Sequence, residues 1–181
     1  MPSPVALTGT PGTGKSAVAR ALRGRFRSIE VSELARALDA AKPVKGGVEV
    51  DLSALRRRMR RSPLLRETDF VVGHLAQLLP LRDVVVLRCH PVELERRLKR
   101  ARRGTPAERH ENFVAEATDV VLLEALGPGR RVWEIDTSRR SVAGVAEEVA
   151  RRVQRRGRSS YGTVDWLSDR RLTAHLLDRP R

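Results

Sequence analysis

The chain has 181 residues, 40% hydrophobic and 3% aromatic, with 36 Lys and Arg against 22 Asp and Glu and a formal net charge of +14. That length fits a single domain, 1–181, whose core is built from Leu, Val and Ala, and the shortage of aromatic rings excludes a surface that stacks bases. One cysteine, Cys89, excludes a disulfide framework; no apolar run approaches the roughly 20 residues that span a bilayer, and residues 1–4 lack the pattern of a signal peptide.

These features read as a soluble, cytoplasmic protein. The positive charge, carried mostly by Arg, fits either a polyanionic partner such as RNA, bound without sequence preference, or a set of solvated side chains.

Val5-Ala6-Leu7 reads as a buried strand that runs into a glycine-rich turn. From Ser16, apolar Val18, Ala21 and Leu22 recur at helical spacing until Gly24. Residues 28–31 read as a second strand and 33–41 as a helix capped by Ser32. A turn over 42–47, a short extended piece at 48–50 and a strongly basic helix over 53–61, ended by Pro63, follow. Residues 70–72 and 84–87 read as the third and fourth strands. Pro91 opens a helix bearing Leu94 and Leu98, and 111–126 reads as one long helix with Phe113, Val114, Ala117, Val120, Val121 and Leu122 on its apolar side. Gly127-Pro128-Gly129 is a turn, 132–135 the fifth strand and 142–153 the last full helix. Strands alternating with helices predict an α/β fold with a five-stranded parallel sheet covered on both faces. Residues 155–181 form a basic tail whose segment 164–177 either docks as a small helix or stays loose.

Gly9-Thr10-Pro11-Gly12-Thr13-Gly14-Lys15-Ser16 matches G-x-x-x-x-G-K-[ST] at every fixed position, in its required context of strand before and helix after. Glycines let the backbone curl so that successive N–H groups point at phosphate oxygens. Lys15 supplies a point charge for the β- and γ-phosphates, and the Ser16 hydroxyl is the expected ligand of the Mg²⁺ that accompanies ATP. The expected nucleotide-binding set is Gly12, Thr13, Gly14, Lys15, Ser16 and Ala17. A rival pattern overlaps it: Gly12-x-Gly14-x-x-Ala17, with Glu30 near the spacing of a ribose-binding acid, satisfies a dinucleotide fingerprint. Lys15 and Ser16 weigh against that rival, and Gly9 adds the longer loop that only a triphosphate requires.

A phosphoryl-transfer enzyme needs an acceptor pocket and a cover that excludes water. The stretch 96–109, interrupted by Gly104 and Pro106, reads either as such a cover or as a solvated Arg-rich turn. Residues 30–53 are where nucleotide kinases build the acceptor pocket, and Arg36 and Asp51 are its polar candidates. His74 follows the third strand, where ligands of open parallel sheets gather. His90, His110 and His175 have no partners at metal-ligand spacing.

Taken in order, these residues resemble the adenylate-kinase-like ATPases of archaea and eukaryotes that act in small ribosomal subunit maturation, the type that includes the human coilin-interacting nuclear ATPase. The resemblance is carried by the loop Thr8–Ser16, Val31-Ser32-Glu33-Leu34-Ala35-Arg36, Val50-Asp51-Leu52, Val84–Arg88 with Pro91, Leu94 and Arg97-Leu98, Arg103-Gly104 with Glu108, Glu111-Asn112, Glu116 and Glu124-Ala125, Glu134–Ser138, and Gly162-x-Val164-Asp165-Trp166. It implies a P-loop NTPase, adenylate-kinase-like fold with an acceptor region at 30–53 and a short lid at 102–112. It also implies γ-phosphoryl transfer from ATP to AMP, slow ATP hydrolysis, a uS11-type ribosomal protein partner on the small ribosomal subunit, and a part in 16S-type rRNA maturation. On that basis Arg103 contacts ATP from the lid, His74 positions the acceptor or attacking water, and Arg36, Asp51 and Arg88 face the acceptor. Nothing demands more than a monomer.

One position departs from the family pattern. The family carries an acid two residues before the His, and here that residue is Val72. Asp69 lies three strand residues away, about 10 Å toward the opposite end. Two other readings therefore stay open: an ATP-gated ribonucleoprotein-binding module with little turnover, and a P-loop kinase of shikimate- or cytidylate-type specificity.

Overall fold

The computed structural model describes residues 3–44, 47–169 and 172. In chain order it comprises β1 (Val5–Thr8), α1 (Lys15–Ala21), β2 (Ser28–Glu30), α2 (Val31–Ala37), β3 (Ala41–Val44), β4 (Gly47–Val50) and α3 (Leu52–Met59). Then come β5 (Phe70–Val72), β6 (Asp83–Arg88), α4 (Pro91–Arg100), α5 (Pro106–Ala117), α6 (Val120–Ala125), β7 (Arg131–Asp136) and α7 (Val142–Arg155). Single 3₁₀ turns cover Pro63–Arg66 and Ala76–Leu78.

Five strands form one parallel sheet in the order β2-β5-β1-β6-β7. Every residue of β1, β5 and β6 is buried, which is why their sequences are near-continuous apolar runs rather than alternating ones. Side-chain alternation still sorts them. Ala6, Val71, Val84 and Val86 join Leu34, Leu55 and Leu122 in one core, while Leu7, Phe70, Val72, Val85 and Leu87 join Val18, Val145 and Val149 in the other. All five carboxyl ends lie along one edge of the sheet, and the turns after β1, β2 and β5 meet there.

Three local expectations are corrected. The turn expected over 42–47 is part of an antiparallel hairpin in which Ala41 pairs with Val50 and Val44 with Gly47; Pro43 costs little there because the pair has only edges. α2 begins at Val31, not Glu33, and Ser32 lies in its first turn. The single helix expected over 111–126 is two. α5 starts earlier, where Thr105 Oγ1 accepts from Glu108 N–H at 3.2 Å and Glu108 Oε2 accepts from Thr105 N–H at 2.6 Å, a reciprocal cap. It ends before Asp119, which takes a left-handed φ of 60°. The Arg88 guanidinium binds both the Glu116 carbonyl, at 3.0 Å, and the Asp119 carboxylate, which holds the break in place. The tail doubles back along β7. Ser160 N–H donates to the Val132 carbonyl at 2.9 Å, and Glu134 N–H donates to the Ser160 carbonyl at 2.8 Å. Residues 158–160 thus bond the outer sheet edge, and Leu172 is buried against Phe113 and Ala117; the rest of the expected segment 164–177 beyond Asp169, including His175, lies outside the described residues with 178–181.

Candidate active site

The loop between β1 and α1 closes around Lys15. Gly9 has φ 141°, and a Cβ there would stand 2.3 Å from the Leu87 carbonyl oxygen, so no side chain fits this first turn. Lys15 Nζ donates to the Gly9 carbonyl at 2.6 Å and the Thr10 carbonyl at 3.0 Å. Burial lowers its pKa to about 8; the carboxylates of Glu116 and Glu30 oppose that shift and Arg103 adds to it. Thr137, just after β7, steadies the loop from beneath, its Oγ1 3.1 Å from the Thr13 carbonyl oxygen. Ser16 Oγ donates to Glu30 Oε1 at 2.9 Å.

A cavity of about 860 Å³ opens over this loop at the carboxyl edge of the sheet, within the size range of small-molecule sites. The structure brings Gly12, Gly14, Lys15, Ser16 and Ala17 to its wall together with His74 and Arg103. Thr13 is buried beneath the loop, its Oγ1 donating to the Thr10 carbonyl at 2.9 Å. Partial burial, and then the Lys15 ammonium, hold the His74 imidazole below its ordinary pKa, so near neutral pH the ring is uncharged and both donates and accepts. Arg103 stands in the tight α4–α5 turn, where Leu98 and Ala101 close one side of the cavity. Residues 102–112, expected to form a lid, are this turn plus the first turns of α5.

Three expected acceptor residues are not on the wall. Asp51 caps α3, its Oδ1 accepting from Ala54 N–H at 2.9 Å, and this explains its place before a helix without invoking substrate. Arg36 is exposed on α2. Arg88 is 1% exposed and bound in the core. Its Nε donates to Glu116 Oε1 at 2.7 Å, its Nη1 to Glu134 Oε1 at 2.6 Å, and its Nη2 to Asp119. Four of its five N–H donors thus go to three carboxylates and the Glu116 carbonyl, in the core and off the cavity wall.

Glu116 is the residue that sequence reasoning undervalued. It is 1% exposed, on the apolar side of α5 beside Phe113 and Ala117. Its Oε2 accepts from Thr10 Oγ1 of the phosphate loop at 2.5 Å. Its Oε1 accepts from Arg88 Nε, from Cys89 N–H at 3.0 Å and from Trp166 Nε1 at 3.3 Å. One carboxylate thus joins loop, β6, α5 and tail. The available signal was an acid at a core position of an amphipathic helix. Cys89, wholly buried, has its thiol pKa pushed up to about 12 by that burial and is chemically inert.

This fold and loop define a P-loop nucleoside-triphosphate-binding architecture. A shikimate kinase from Acinetobacter baumannii, solved with shikimate, shares the fold with a TM-score of 0.56 at 16% identity, over 86% of this chain and 95% of that one. The profile of the AAA domain family matches residues 5–119. Two archaeal relatives span nearly the whole chain. A "Putative adenylate kinase" of Archaeoglobus fulgidus is 40% identical over 91% of this chain and 92% of its own. One of the same name from Thermococcus onnurineus is 35% identical, with the same coverage of each chain. The chain belongs to the family of these archaeal proteins and to the AAA domain family by its residues 5–119. Among the described residues no helix is long and apolar enough to cross a membrane.

Proposed function

We propose that the protein is a nucleoside monophosphate kinase of adenylate type, moving the γ-phosphoryl of ATP to AMP to give two ADP, with slow ATP hydrolysis as a side reaction. The observation that carries this reading is the convergence of Lys15, Ser16, His74 and Arg103 on one cavity large enough for a nucleotide and an acceptor. The names of the archaeal relatives agree with it.

Lys15 and the loop amides hold the β- and γ-phosphates. Arg103 approaches from the α4–α5 turn and offsets charge on the transferring group, and neutral His74 orients the acceptor oxygen or a water. Such catalysis is positioning plus electrostatics, with little covalent work for the protein. The donors at the loop suit Mg²⁺. Ser16 and Glu30 would offer the ion hard oxygens, the rest of its shell coming from phosphates and water. When bound, the ion neutralises phosphate charge. The role in small-subunit maturation, with a uS11-type protein and rRNA as partners, rests on the sequence resemblance.

The test is coupled ADP formation with ATP and Mg²⁺, with and without AMP, for wild type and Lys15→Ala. AMP-dependent turnover that falls about 100-fold or more in the variant is the expected result; a variant that still turns over ATP at the wild-type rate refutes it. One observation favours a second reading, an ATP-gated binding module: Val72 occupies the family's acidic position. Tight ATP binding with no turnover in wild type would select that reading.

A further inference from the structure

A phosphate loop works with a carboxylate beside its Ser or Thr hydroxyl, because Mg²⁺ takes hard oxygens and its waters must be held in register with the γ-phosphate. The strand end that bears this acid in the family, at the end of β5, carries Val72, which is 1% exposed and packed in the core with Leu7 and Val85. Asp69 does not substitute. It lies at the opposite end of β5, with Oδ2 accepting from Arg27 N–H at 2.8 Å.

The neighbouring strand supplies what β5 lacks. β2 and β5 run parallel with Glu30 opposite Val72. Glu30 therefore sits at the same height on the carboxyl edge, one strand spacing, about 4.8 Å, further out. Unlike Val72, its side chain faces the cavity wall, and its Oε1 receives the Ser16 hydroxyl at 2.9 Å. Glu30 also takes part in a reciprocal cap, with Glu33 at the start of α2, as Glu108 does with Thr105 at the start of α5; Glu108 and Glu111, the other acids on that wall, stand across the cavity on α5. Glu30 alone among them touches the loop hydroxyl.

We propose that Glu30 is the metal-positioning acid of this site, acting with Ser16 on the Mg²⁺ of bound ATP, directly or through its waters, in place of the missing acid of β5. The inference rests on the ATP-binding reading above. It means that the site holds a carboxylate one strand over from Val72, so Val72 does not by itself make the site inert.

The test is titration with the ATP analogue adenylyl imidodiphosphate, in EDTA and in Mg²⁺, on wild type and Glu30→Gln, with Mn²⁺ electron paramagnetic resonance on the ternary complex. Gln keeps the shape and an oxygen for Ser16, and a thermal melt checks that the variant is folded. Wild type should bind more tightly with Mg²⁺ than without. E30Q should lose about 10- to 100-fold in Mn²⁺ affinity and in the Mg²⁺ enhancement. Its affinity in EDTA should be unchanged or higher, since a carboxylate next to phosphates repels them. Equal loss with and without metal would show a merely structural residue and overturn the proposal, as would an undiminished Mg²⁺ enhancement. A wild-type protein that binds no analogue in either buffer would instead overturn the ATP reading, and this inference with it.

Discussion

Arg88 shows how a residue's chemistry depends on its neighbours. At the end of a strand pointing toward a nucleotide site, an arginine is a natural phosphate ligand, and that was its expected role. Its contacts with Glu116, Glu134 and Asp119 make it the counter-charge of a buried acidic cluster. Breaking such a cluster on one side leaves charges uncompensated and costs about 3–5 kcal/mol. Arg88→Leu should therefore lower the melting temperature by roughly 6–20 °C for a chain of this size. A substrate contact would leave the melt unchanged and raise KM for the acceptor, so calorimetry beside kinetics separates the two. Lys15 and Ser16, in contrast, were legible from the sequence, because a phosphate loop is a local motif whose geometry is set by its own glycines. Glu30 was legible only as a ribose-binding acid in a rival pattern. Its approach to Ser16 depends on the β2–β5 register, which pairs residues 42 positions apart and leaves no local trace.

At the scale of elements, four of the five sheet strands follow from short apolar runs bounded by turn residues, β2 (Ser28–Glu30) being the exception, while the helix boundaries follow from contacts. The α5–α6 break lies inside an unbroken apolar pattern, and Arg88, brought in from β6, is what holds it. The hairpin of β3 and β4 escaped because Lys42-Pro43 reads as turn chemistry. The pairing of Ser160 with β7 escaped because it is made by backbone groups, which sequence composition does not announce. Trp166 ties that tail to the site: its Nε1 donates to Glu116 at 3.3 Å and its ring lies 6.0 Å from the Arg88 guanidinium carbon. Trp166→Ala removes a hydrogen bond to a charge and should cost about 1.5–3 kcal/mol in chemical denaturation. Because Glu116 also holds Thr10, ATP-analogue affinity should fall in the same variant. Unchanged affinity would reduce the tail to a cover for the sheet edge.

The whole molecule couples its phosphate loop to both cores, since β1 carries core residues on each face and ends directly in the loop. Ligand on that loop should therefore stabilise the whole fold. ATP at about 100 times its Kd contributes about 2.7 kcal/mol, which raises the melting temperature by roughly 5–11 °C. The shift should be absent in Lys15→Ala, and differential scanning fluorimetry measures it directly. The sequence by itself determined the parallel α/β sheet, the phosphate loop and the strand-end position of His74, because each is written in residues close together along the chain. Tertiary structure decided which charges reach the cavity and which neutralise one another in the core, and it decided that the acid nearest Ser16 comes from β2. Those outcomes depend on strand register and on the electrostatic cost of burying a charge without a partner, and both are settled only when distant segments meet.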